Sequence, residues 1–164
     1  MEMQKYIAMT DYVYGWHFEE PPVSKEDLAK IFPLSKDYCE ELWKRYITNS
    51  DEIYCLPQLW GKEHWARKLS TLNYNFIDDF NNNVTTNFIE VVRKHFHCSN
   101  DDTVLFIGSK FNAIETTFDV FLRNWMNFLY DDEDPLLFNT STGFAILFAS
   151  SGDVYGGKRP NKER

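Results

Sequence analysis

Three short apolar runs near the end of the chain, Leu136-Leu137-Phe138, Phe144 to Phe148 and Val154-Tyr155, are separated by Ser141-Thr142-Gly143 and Ser151-Gly152-Asp153. Small polar residues with glycine are what tight turns require, so the three runs are expected to pair as an antiparallel meander. No other feature restricts the fold as strongly. Strands joined by so few residues leave no room for the long crossover that parallel neighbours need.

Upstream, Thr103-Val104-Leu105-Phe106-Ile107 is a compact β-branched and aromatic run ended by Gly108, which predicts a buried strand. Asn112-Ala113-Ile114-Glu115 has the form of a capping box. A helix is therefore expected from Asn112 to about Tyr130, with Ile114, Phe118, Phe121, Leu122, Trp125 and Leu129 at helical spacing. Pro135 marks its exit, which makes the C-terminal part a βαβββ segment.

Val84, Phe88, Val91, Val92, His95 and Phe96 predict another helix from about Val84 to Phe96. Ser24 and Ser35 stand where N-caps belong, the first before a short helix ending near Phe32-Pro33, the second before a helix carrying Tyr38, Leu42, Trp43, Tyr46 and Ile47 and ending near Asn49. Tyr6 to Phe18 has too few polar breaks for a helix face and reads as strand or aromatic loop. Asp51 to Asn83 shows no sustained period, only a short helix over Glu63 to Leu69. The expected fold class is α+β: one domain over 1–164, with helices packed on one antiparallel or mixed sheet.

The formal charge of −8 argues against sequence-independent nucleic-acid binding, which needs clustered Lys and Arg, and favours a basic partner. Cys39, Cys55 and Cys98 are odd in number and widely spaced, so no disulfide framework is expected and reduced cytoplasmic thiols are. No apolar run approaches the roughly 18 residues of a membrane span, and Met1 to Lys5 lacks a signal-peptide pattern. A cytoplasmic protein without membrane contact is the expectation.

The residues that stand out are Asp131-Asp132-Glu133-Asp134, directly after the aromatic helix. Four adjacent carboxylates lack the alternate-position ligands and glycine turn of a calcium loop, so a solvated or partner-facing acidic surface is expected, not a metal site. His95-Phe96-His97-Cys98 offers soft ligands, but adjacent spacing points them to different sides of a helix. No phosphate loop, nucleophile elbow or zinc-protease motif occurs, and no cofactor is implied. Trp60 and Trp65, beside Gly61 in the segment without a clear period, are the candidate exposed anchors, whereas Phe121 and Trp125 share a helix face and belong to the core.

Ile114-Glu115-Thr116-Thr117-Phe118, Phe121, Arg123-Asn124-Trp125, Asn127-Phe128-Leu129, Asp132 and Pro135-Leu136-Leu137 resemble a family of small bacterial proteins known as domain of unknown function 2947. Pro22 to Ile31 and Pro33-Leu34-Ser35 are similar to the opening of that family. The resemblance implies a bacterial, cytoplasmic, single-domain protein and no particular activity. By type and composition the chain is also similar to immunity proteins, which neutralise toxins. The expected function is accordingly binding of a cognate toxin with a basic, nuclease-type surface through Asp131 to Asp134, Trp60 and Trp65. The alternative is a small enzyme or ligand binder with a pocket between the sheet and helix 112–130.

Overall fold

The structure, a computed structural model, describes residues 3–49, 51, 64–130 and 134–160. Seven antiparallel strands form one sheet: β1 (Phe32–Pro33), β2 (Ser70–Asn75), β3 (Thr103–Ser109), β4 (Asn112–Thr117), β5 (Leu136–Phe138), β6 (Phe144–Phe148) and β7 (Asp153–Lys158). Their order across the sheet is β1-β4-β3-β5-β6-β7-β2. The meander expected at the C-terminus is present, with Leu137 opposite Ile146 and Leu147 opposite Tyr155. The fold is α+β, with helices packed on the sheet.

The central strands are apolar on both sides because both faces are covered. Val104, Phe106, Ile114, Leu137, Ile146 and Phe148 point into one core. Leu105, Ile107, Ala113, Leu136, Phe138 and Leu147 point into another. This is the alternation that a pleated strand imposes, repeated in two layers. The first core is closed by α3 (Ile77–Asn81), α4 (Thr86–Phe96), α5 (Phe118–Arg123) and α6 (Trp125–Phe128). The second is closed by α2 (Lys36–Leu42) and the π-helical turn Trp43–Ile47.

In α4, Phe88, Val92 and Phe96 recur at four-residue steps and are fully buried. Phe88 lies flat on Trp125 at 3.9 Å with 8° between the rings, and on Phe148 at 5.6 Å. Aromatic pairs of this kind add about 0.5–1.5 kcal/mol beyond their area. The helix ends at His97, whose left-handed φ of 53° stops propagation. Ser24 and Ser35 cap α1 (Lys25–Leu28) and α2 as expected, their hydroxyl oxygens accepting from the Asp27 and Tyr38 N–H groups.

The helix expected to open at Asn112 does not. Residues Asn112–Thr117 are β4, paired along β3 with Phe106 opposite Ile114. Asn112 closes a hairpin: its side-chain amide donates to Ser109 Oγ at 3.2 Å, and the Phe111 N–H donates to the same oxygen at 3.2 Å. Asn followed by Glu three residues later suits a cap in sequence, but the β-branched Ile114, Thr116 and Thr117 suit an inner strand, and strand pairing wins. The helical stretch starts only at Phe118 and breaks at Asn124. There the side chain donates to Val120 O and Asp27 Oδ2, both at 2.9 Å, competing with the helical ladder. Tyr6 to Phe18 is loop with two short 3-10 turns, Met9–Asp11 and Gly15–Phe18.

Candidate functional site

Trp60, Asp131, Asp132 and Glu133 lie outside the described residues. Trp65 is described, and the expectation of an exposed anchor does not hold for it. The indole is half-buried at the rim of the second core, 6.1 Å from the Phe138 ring, and its N–H donates to Tyr46 O at 3.2 Å. The neighbouring His64 explains the fixed position: its Nδ1 accepts from the Ala66 N–H at 3.1 Å while Nε2 meets Ile47 O at 2.6 Å.

Asp134 is likewise not a surface carboxylate. It is only 4% exposed, and its Oδ1 accepts from the Ser150 N–H at 2.6 Å. Burial pushes its pKa above the usual carboxylate range, against the pull of the Ser150 bond. The last acid of the run is thus a structural anchor that ties the segment to the β6–β7 turn.

Among the described residues seven large apolar side chains are exposed, Met3, Tyr6, Val13, Trp16, Phe32, Val84 and Tyr130, and three of them are the most exposed. Val13 is 68% exposed, Trp16 52% and Tyr130 46%. Trp16 meets Tyr130 edge-on at 5.2 Å, and both contact the buried His17 ring, at 4.2 and 5.2 Å. Tyr14 continues the row, 5.4 Å from His17, and Tyr12 follows at 5.8 Å from Tyr14. The row is assembled by the Gly15–Phe18 turn docking on α6: Asn127 Nδ2 donates to His17 O at 2.9 Å and to Pro21 O at 2.8 Å.

Beside these rings a cleft of about 40 Å³ opens between the N-terminal segment and the sheet, walled by Tyr12, Tyr14, His17, Gly108, Asn112 and Phe128. It is not the pocket expected between the sheet and a helix over 112–130, because Asn112 and Ile114 belong to β4 within the sheet and the opposite wall is the N-terminal segment. A second hollow of about 160 Å³, with Lys5, Arg45, Tyr46 and Glu115 in its wall, lies at the second core. There Lys5 is already paired with Glu115 at 3.1 Å, and the Tyr6 hydroxyl donates to the same carboxylate.

Nucleophilic chemistry at the described thiols is disfavoured. Burial pushes Cys39 up to about 11 and Cys98 up to about 12, so both are protonated at neutral pH. Among the described residues no group of three or more His, Cys, Asp or Glu stands close enough to hold a metal ion. His95, His97 and Cys98 do not converge: His97 packs on the Phe144 ring at 4.9 Å while Cys98 donates to Asp102 Oδ2 at 3.6 Å. Among the described residues no helix is long and apolar enough to cross a membrane.

The aromatic row was legible only in part. Trp16 and Tyr130 are 114 positions apart, and no periodicity links them. The signal that could have found them is the lack of any Lys or Arg in both Met9 to Glu20 and Asn124 to Asp134, which together carry Asp11, Glu19, Glu20 and the four acids of the 131–134 run. No curated protein and no solved structure matches the chain. The family described as "Protein of unknown function (DUF2947)" matches residues 6–157, nearly the whole length, and the chain belongs to that family.

Proposed function

We propose that this protein is a stoichiometric binder of a basic protein partner, of the immunity type, which inhibits a cognate toxin by covering its cationic surface. The observation that carries the reading is the exposed pair Trp16 and Tyr130, carried on two chain segments that hold six carboxylates besides the buried Asp134 and no Lys or Arg. Large exposed rings provide the buried anchors of an interface, and surrounding charge steers association and selects the partner. The net charge of −8 extends the same field over the whole molecule.

The test is co-expression of the tagged protein with the product of the adjacent gene, read by growth, by capture and by association kinetics. The expected result is relief of that product's toxicity and a one-to-one complex with a basic protein. Its association rate should fall steeply with salt and by about tenfold or more when Asp131, Asp132 and Glu133 are changed to lysine. Capture that is insensitive to both salt and charge reversal, or the lack of any complex that relieves toxicity, rejects the proposal.

A further inference from the structure

We infer that the hollow at the second core, walled by α2, the π-helical turn Trp43–Ile47, β3 and β4, is a binding site for a small monocarboxylate rich in hydroxyl groups, of the sugar-acid class. The inference goes beyond the proposed binding of a basic protein and does not depend on it.

The wall contains a turn of rare geometry, braced from far along the chain. The Thr48 N–H donates to Trp43 O at 2.9 Å, one residue further back than in an α-helix. Turns of this width are uncommon and frequently stand at functional sites. Arg159 donates from Nη2 to Arg45 O at 3.2 Å and from Nε to Tyr46 O at 2.8 Å. The Trp65 indole N–H donates to Tyr46 O at 3.2 Å, and His64 Nε2 meets Ile47 O at 2.6 Å. Carbonyls at a helix end need such partners. Arg45 and Tyr46 are thus fixed through their backbone, and both line the hollow.

Charge selects an anion with one negative charge. The charged groups in the wall are Lys5, Arg45 and Glu115. Glu115 is satisfied within the protein: Lys5 Nζ lies 3.1 Å from one carboxylate oxygen, and the Tyr6 hydroxyl donates to the other. Arg45 has no carboxylate partner among the described residues, its guanidinium lying 6.0 Å from the Tyr46 ring centre. The wall therefore carries one positive charge in excess, on a chain whose net charge is −8. A guanidinium matches a carboxylate in a two-bond fork. A phosphate monoester, at about −2, would bring surplus negative charge against Glu115.

Unused hydroxyls select the rest of the ligand. Tyr38 and Tyr46 are half-buried in the wall, and Thr103 and Thr140 are exposed at its mouth. None of these four hydroxyls has a hydrogen bond to another of the described residues. Each both donates and accepts, the capacity that hydroxyl groups of a ligand match and a bare carboxylate does not. At roughly 10–15 Å³ for a water-sized occupant, about 160 Å³ exceeds a lone carboxylate and suits a sugar acid.

The test titrates D-glucuronate, D-glucose, acetate and glucose 6-phosphate into the isotopically labelled protein, followed by NMR. Glucuronate is expected to bind in the millimolar range or tighter, shifting the amides of Arg45, Tyr46, Thr103 and Thr140. Glucose lacks the charge and acetate the hydroxyls, so each should bind about tenfold more weakly, as should glucose 6-phosphate. Arg45→Gln, at an exposed side chain whose carbonyl still receives Arg159, should weaken glucuronate binding about tenfold while the remaining spectrum stays folded. Thr140→Val, also at an exposed position, should weaken it severalfold. Glucose or acetate binding as tightly as glucuronate, or tighter binding of the phosphate, overturns the assignment. So does glucuronate binding that Arg45→Gln and Thr140→Val leave unchanged, or a titration without saturable shifts in the hollow.

Discussion

Arg123 shows how one side chain ties together segments distant in the chain. Its Nη2 lies 2.7 Å from Asp27 Oδ1 and its Nη1 3.0 Å from Asp119 Oδ2, which joins α1 to α5. Hydrogen bonding from Arg123, reinforced by Asn124, holds the Asp27 carboxyl below its ordinary range against burial. For Asp119, burial pushes up, but the Thr117 hydroxyl and Arg123 prevail and hold it down. Both carboxyls therefore bind protons less readily folded than unfolded. Their stabilisation is present above the unfolded value near ~3.9 and is lost as pH falls through the lower folded values. Arg123→Ala is expected to cost about 1–2 kcal/mol at pH 7, a figure reduced because half of the Arg123 side chain is exposed. In urea unfolding the gap between the two proteins should narrow at pH 3; a gap unchanged with pH would contradict the linkage. At this scale the sequence was legible where a residue acts locally, as Ser24 and Ser35 do in capping. It was not where the partner is distant. Trp65 looks like a loop anchor until Tyr46 and Phe138 are placed beside it, and Trp16 looks unremarkable until Tyr130 arrives.

Elements with a strong period were readable, and those held by their neighbours were not. Helix α4 declares itself through Phe88, Val92 and Phe96. Strand β2 and α3 have few apolar residues in register, Ser-Thr-Leu-Asn-Tyr-Asn and Ile-Asp-Asp-Phe-Asn, and exist because the β6–β7 turn receives them. The Phe76 N–H donates to Gly152 O at 3.0 Å and Asn75 Nδ2 to Ser151 O at 3.0 Å. Gly152 has a φ of +93°, and a Cβ there would collide with Asn75 and Ile77. Gly152→Ala is expected to destabilise by about 2–3 kcal/mol, from strain and overpacking together. Hydrogen exchange should show the loss concentrated in 70–81 while β3 and β4 remain protected. Uniform loss across the sheet would mean that the turn supports more than this unit. The strand in place of helix at Asn112 belongs to the same class of error, because a local cap signal carries no information about a waiting partner strand.

Across the whole molecule, one sheet separates two cores while being the wall of both. Leu105 and Phe106 are neighbours in the chain and face opposite ways. Phe88→Ala in the first core and Trp43→Ala in the second should therefore each destabilise by about 3–5 kcal/mol and lower the midpoint of one shared transition. Separate transitions followed by near- and far-ultraviolet circular dichroism would show the layers to be independent. The two borders of the sheet carry a different consequence. On one side β1 has only two residues, one of them Pro33, and the Ile7 N–H takes up Pro33 O at 3.0 Å. On the other, the register of β2 shifts between Thr71 and Asn75, and Asn73 adopts a φ of 55°. Neither border offers a long flat row of free amides and carbonyls to an incoming strand. Sheet borders built this way resist fibril templating when crowded, and a partner meeting either of them is gripped by side chains, not by adding backbone to backbone.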